Sequence, residues 1–163
     1  MIKASHSVRI NRPVEDVYNY LRNHENRIYW QGNLVQHEPQ ATPEGTKVTE
    51  VRNVLGRRIE ITGVLKEVEL NRIIEFSGSG PHVQRVDYRY TLHRDGDGTR
   101  FETSMEVELP SKLGIAEPVI QRLSERELDH AGNNLKDLLE QQEVERLAKE
   151  LPSHTHQQSP INR

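Results

Sequence analysis

The chain contains no cysteine, which excludes disulfides, thiolate nucleophiles and cysteine metal ligands. Large aromatics are scarce: one tryptophan and two phenylalanines in 163 residues. Apolar residues make up only 33% of the chain, so its core is expected to be lean or partly hollow. No stretch approaches the roughly 20 apolar residues of a membrane span. The first ten residues, MIKASHSVRI, hold no apolar signal core. A cytoplasmic protein without a membrane span is the expectation. There is no basic excess either. Twenty-two basic and 25 acidic residues give a net charge of −3, with both signs interspersed. That argues against a nucleic-acid partner, which calls for a basic footprint. Metal-ligand spacing is also missing. His6, His37, His82, His93 and His130 fall in different segments, and the close pair His154 and His156 lies in a polar tail. No His-x-x-x-His pattern occurs on a helical stretch, so neither a metal nor a cofactor is implied.

What is present is clear periodicity. Residues Ala4 to Ile10 alternate, with Ala4, His6, Val8 and Ile10 on one side, which reads as a half-buried strand. Asn11-Arg12-Pro13 stops it, and Pro13 suits a first helical position. Val14, Val17, Tyr18 and Leu21 then follow at helical spacing, so a short amphipathic helix is expected over Pro13 to Arg22. A second helical segment over Glu25 to Tyr29 leads into Trp30. Six candidate strands come next: Leu34–Glu38, Lys47–Val54, Arg57–Glu69, Ile73–Ser77, Val83–His93 and Arg100–Leu109. Pro43-Glu44-Gly45, Leu55-Gly56-Arg57 and Asp95-Gly96-Asp97-Gly98 are turn signals between them, and their spacing predicts an antiparallel meander. After Pro110, the residues Val119, Ile120, Leu123, Leu128, Ala131, Leu135, Leu138 and Leu139 form one long helical stripe, with Pro118 in its first turn. Val144, Leu147 and Leu151 extend it by two turns. Residues 1–151 read as one domain, and 152–163 as a disordered polar tail.

Two strands predict how the parts meet. Phe101, Thr103, Met105, Val107 and Leu109 share one face, with Glu102, Ser104, Glu106 and Glu108 on the other. Val86, Tyr88, Tyr90 and Leu92 behave alike. These faces need covering, and the last helix carries the one large apolar stripe available.

This order of elements resembles the polyketide cyclase/dehydrase branch of the SRPBCC superfamily, also called START-like or birch-pollen-allergen-like. The resemblance rests on Asn11-Arg12-Pro13-Val14-Glu15-Asp16-Val17-Tyr18, on Trp30, and on Glu44-Gly45-Thr46 with Leu55-Gly56-Arg57. It also rests on Asp97-Gly98-Thr99-Arg100-Phe101 and on Leu135-Lys136-Asp137-Leu138-Leu139-Glu140. It spans about residues 3 to 141. It implies an α+β helix-grip fold: a curved antiparallel sheet of about seven strands around a long C-terminal helix, with two short helices after the first strand. It also implies a cavity between sheet and helix for a lipid, polyketide or other small apolar molecule. The family has no universal catalytic motif, so no catalytic residue is carried over.

Alternation and helical spacing leave a filled core and a cavity both open. The resemblance favours the cavity. Its candidate lining on the sheet is Ile59, Ile61, Leu65, Val86, Tyr88 and Tyr90, with Phe101, Thr103, Met105 and Val107. On the helix it is Ile120, Leu123, Glu127 and Ala131. Glu127 either reaches the cavity as a proton-transfer group or lies solvated at the edge while Leu128 is buried. His130 and Asn134, further along the helix, either join such a site or face solvent. Ser77-Gly78-Ser79-Gly80-Pro81 lacks the following basic residue of a phosphate loop and reads as a turn at the cavity rim, a candidate gate with Leu55-Gly56-Arg57. Three functions follow in order: a carrier or binding protein for a small apolar molecule, a cyclase/dehydratase-type enzyme, and an interaction protein using the helix after Gln141. Oligomeric state is not encoded in any pattern here.

Overall fold

The computed structural model describes residues 1–111 and 116–151. Strand β1 (Ile2–Ile10) leads into helix α1 (Val14–Arg22), a single 3-10 turn at His24–Asn26, and helix α2 (Arg27–Trp30). Six strands follow: β2 (Leu34–Thr42), β3 (Gly45–Val54), β4 (Arg57–Glu69), β5 (Ile73–Gly80), β6 (Val83–Asp95) and β7 (Gly98–Glu108). Helix α3 (Glu117–Glu150) has 34 residues and is therefore about 50 Å long. The seven strands form one sheet in the order β1-β7-β6-β5-β4-β3-β2, and every pairing is antiparallel. This is the helix-grip arrangement. The tail at 152–163 lies outside the described residues.

The register carries out the alternation. Tyr90 pairs with Thr103, Tyr88 with Met105 and Val86 with Val107, so the inward faces of β6 and β7 form one continuous floor. On α3, Ile120, Ser124, Leu128, Ala131, Leu135 and Leu139 are buried at spacings of three and four. Close approach of α3 to β1 depends on Gly132. A Cβ there would come within 2.8 Å of the His6 ring. A second close approach is inside the sheet. Gly63 and Gly78 are register partners, and a Cβ on either would come within 2.8 Å of the Phe76 ring. The missing side chains let that ring lie across both strands.

Three details differ from expectation. Strand β2 continues past Pro39 to Thr42. It is an edge strand, bonded only to β3, so proline's missing N–H need not break a ladder. Ser77 to Gly80 is not a turn but the end of β5, and the chain reverses at Pro81-His82. Finally, α3 does run to Glu150, but its buried apolar stripe stops at Leu139, beyond which polar contacts from Asn11 and Arg12 reach Glu140 and Glu143. Val144, Leu147 and Leu151 are exposed.

Candidate functional site: a cavity between the sheet and the last helix

Helix α3 rests closely on β1 and only lightly on β7 and α2. The middle strands curve away beneath it and leave a cavity of about 190 Å³. Its floor is Ile59, Ile61, Val86, Tyr88, Tyr90, Thr103, Met105 and Val107. Its roof is Ile120, Leu123, Ser124, Glu127, Leu128 and Ala131. One end is closed by Trp30, Gln31, Asn33 and Arg52, and the other carries the exposed side chains of Arg57, Arg58 and His82. Of the residues expected from the sequence, Leu65 and Phe101 are absent from this lining. Both are buried in packed core. Phe101 packs edge-to-face against Trp30 and at a tilt against Tyr90, with ring centroids 6.1 and 5.9 Å away. Glu127 sits half-buried on the roof, while Leu128 takes the buried place. His130 is exposed, and Asn134 turns back to donate to the Trp30 carbonyl at 3.4 Å.

The sequence pattern alone does not reveal the polar end. Glu50 and Arg52 pair across β3–β4 with Ile61 and Ile59, so they point inward with those isoleucines. Glu50 is completely buried, and Arg27 and Arg52 are nearly so. Arg27 Nη1 lies 2.8 Å from Glu50 Oε2, and Arg52 Nε donates to Glu50 Oε1 at 2.8 Å. Arg52 also donates to Asn33 Oδ1 at 2.7 Å and to Gln31 Oε1 at 2.6 Å. Gln31 Nε2 in turn donates to the Tyr90 hydroxyl at 2.7 Å. The Arg52 guanidinium lies 5.2 Å from the Tyr88 ring centre, a cation–π distance. Some signal for this cluster existed. Val48, Glu50, Arg52 and Val54 alternate with Lys47, Thr49, Val51 and Asn53, but both sets are mixed, so period alone does not choose the face.

The electrostatics follow from this geometry. Burial pushes the Glu50 carboxyl up, but the charges of Arg52 and Arg27 and their hydrogen bonds outweigh it and hold it at about 2. Burial raises the Tyr88 phenol, against the pull of Arg52, so Tyr88 is a proton donor and not a base at neutral pH. Behind the cluster, burial and the charge of Arg27 lower His37 to about 4.

Several buried polar atoms at this end have no partner among the described residues. Thr103 Oγ1 and Trp30 Nε1 are both unpaired, on residues 2% and 1% exposed. Tyr90 accepts from Gln31, which leaves its own hydroxyl proton free. Buried donors without partners are uncommon in folded proteins and call for an explanation.

The sequence profile described as "Polyketide cyclase / dehydrase and lipid transport" matches residues 1–140. The chain belongs to this family. No curated protein sequence matches the chain. Among solved structures, a START superfamily protein from Mycobacterium smegmatis is 19% identical, with a TM-score of 0.74, over 85% of this chain and 97% of that one. A protein from Thermus thermophilus is 16% identical, with a TM-score of 0.72, over 91% and 99%. The Zhui aromatase/cyclase of a Streptomyces species is 14% identical, with a TM-score of 0.72, over 85% and 93%. At such identities the likeness is one of fold. Membership in the polyketide cyclase/dehydrase and lipid transport family is consistent with a small hydrophobic ligand or with cyclase/dehydrase chemistry. No described helix is long and apolar enough to cross a membrane.

Proposed function

We propose that the protein binds a small, ring-sized apolar molecule bearing oxygen, and holds it as a carrier between the sheet and α3. The observation that carries this reading is the pairing of an apolar lining with unpartnered buried donors at one end. Ile59, Ile61, Val86, Met105 and Val107 supply non-directional burial. Thr103, Trp30 and Tyr90 supply hydrogens that an oxygen on the ligand would accept. Few convergent polar groups in an apolar pocket is the usual composition of a ligand site. Size narrows the class. An apolar cavity of about 150 Å³ admits benzene, and this one, at about 190 Å³, is only slightly larger. It suits one or two fused rings better than a two-chain lipid.

The test is a titration with 2-naphthol, followed by its own fluorescence. Saturable uptake by the parent, abolished by Met105→Phe, is expected. Absence of saturable uptake by the parent would end this reading. A second reading, as a cyclase/dehydratase, draws on one observation: the Gln31–Tyr90 hydrogen bond lies inside the cavity beside Arg52. A hydroxyl and a guanidinium aimed at one carbonyl oxygen would stabilise an enolate. Incubation with a β-hydroxyketone separates the two. The carrier returns it unchanged, whereas the enzyme releases the dehydrated ketone.

A further inference from the structure

The buried cluster at the closed end does not balance its charge. Two guanidiniums, Arg27 and Arg52, converge on one carboxylate, Glu50, and all three are at least nine-tenths buried. The sum is one positive charge, two plus one minus, held out of water. Their close hydrogen-bonding neighbours Gln31, Asn33 and Tyr90 bring no carboxylate to the cluster. His37, whose imidazole is buried beside Arg27, adds none either. The remaining carboxylate on the cavity wall, Glu127, makes no ion pair with either arginine among the described residues, and it is half-buried on the opposite wall. Arg57, Arg58 and His82 at the open end add no negative charge.

Arg52 is the member of the cluster that borders the cavity. It uses three N–H groups, toward Glu50, Asn33 and Gln31. A guanidinium has five, so two are without a hydrogen-bond partner among the described residues. A buried charge is tolerated when it is paired and hydrogen-bonded, and it attracts a counter-charge otherwise.

From this we infer that the ligand is an anion, an aromatic or alicyclic carboxylate or enolate whose charged oxygen meets Arg52 while its ring lies on Ile59, Met105 and Val107. The inference rests on the carrier reading above and adds the ligand's charge to it. A neutral ligand of the same shape fills the same space and leaves the positive charge uncompensated. The oxygen donors Tyr90 and Thr103 flank the same end of the cavity and would bind the carboxylate's second oxygen or a neighbouring hydroxyl.

Two probes of matched ring size decide it: 2-naphthoate, ionised at neutral pH, and the neutral 2-naphthylmethanol. Both are titrated into the full chain at pH 7. The carboxylate is expected to bind about tenfold tighter or more, the ratio given by a charge-assisted hydrogen bond over a neutral one. In Arg52→Gln that preference should collapse to within about threefold. Equal binding of the two probes by the parent, or tighter binding of the alcohol, overturns the inference and leaves the carrier reading standing. Binding of neither overturns both. A preference that survives in Arg52→Gln moves the anion site to Arg57 and Arg58 at the rim and refutes the assignment to Arg52. The comparison on the parent needs no variant, so a poorly folding Arg52→Gln does not shield the inference.

Discussion

Replacing Glu50 with glutamine keeps the volume of the side chain and removes its charge. The cost can be worked from the structure. The carboxyl sits at about 2 in the folded protein against an ordinary value of 4.5. At about 1.4 kcal/mol per pH unit, that difference is worth about 3 kcal/mol. Removing one partner of a buried ion pair costs about 3–5 kcal/mol, because the remaining charge stays buried, and here two remain. The sign with pH is fixed. Ionised Glu50 stabilises the folded state, so its contribution is complete above 4.5 and is lost as pH falls through about 2. As pH falls below 4.5 the unfolded chain's carboxyl takes up a proton while native Glu50 stays ionised down to about 2, so the advantage over glutamine shrinks. Urea unfolding of the parent and Glu50→Gln should therefore differ by about 3 kcal/mol at pH 7, and by less than half of that at about pH 3. A variant within about 1 kcal/mol of the parent at pH 7 would mean that the network is not the closed, dry cluster described. A gap that stays constant down to pH 3 would refute the electrostatic account even if the variant is weak.

Leu123→Trp and Met105→Phe put bulk into the roof and floor of the cavity. Each should stay within about 1 kcal/mol of the parent in urea unfolding, below the usual overpacking range, while blocking uptake of 2-naphthol; destabilisation of both by more would mean a filled core. Gly63→Ala places a Cβ 2.3 Å from the Ser77 carbonyl oxygen and 2.6 Å from the Phe76 ring. It should cost at least about 1–3 kcal/mol, whereas Gly32→Ala, with nothing within 4 Å among the described residues, serves as the near-neutral control. His37 is held neutral by burial and by Arg27, with its value lowered from 6.5 to about 4. Its contribution is complete above 6.5 and is lost as pH falls through about 4, so between pH 7 and 4.5 the parent should lose more stability than His37→Gln. Equal losses in the two proteins would show that His37 does not titrate between them.

Much of the fold is readable in the sequence because its causes are local. Period-two alternation on Arg100–Leu109 and Val83–His93 is a property of pleated backbone, and it assigned the inward faces of β6 and β7 correctly. The stripe from Ile120 to Leu139 is likewise local, as are the turn residues at Gly56 and Gly96, both at positive φ. Together with the ordered landmarks from Asn11 to Glu140, these carried the family resemblance. Period, however, states which face a residue is on and not how far along the strand it meets the helix. Phe101 and Met105 share a face, yet one is packed behind Trp30 and the other borders the cavity. That difference is set by where α3, leaning on β1 through Gly132, parts from the curving sheet. The charged end lay further from view. On β3 a buried glutamate and arginine look, in one dimension, like solvent-facing residues. They turn inward because the register sets them beside Ile61 and Ile59, and Glu50 is tolerable there only because α2, distant in sequence, brings Arg27 to within 2.8 Å of it. Burial of a charge depends on its partners in space, and those partners exist only once the chain has folded.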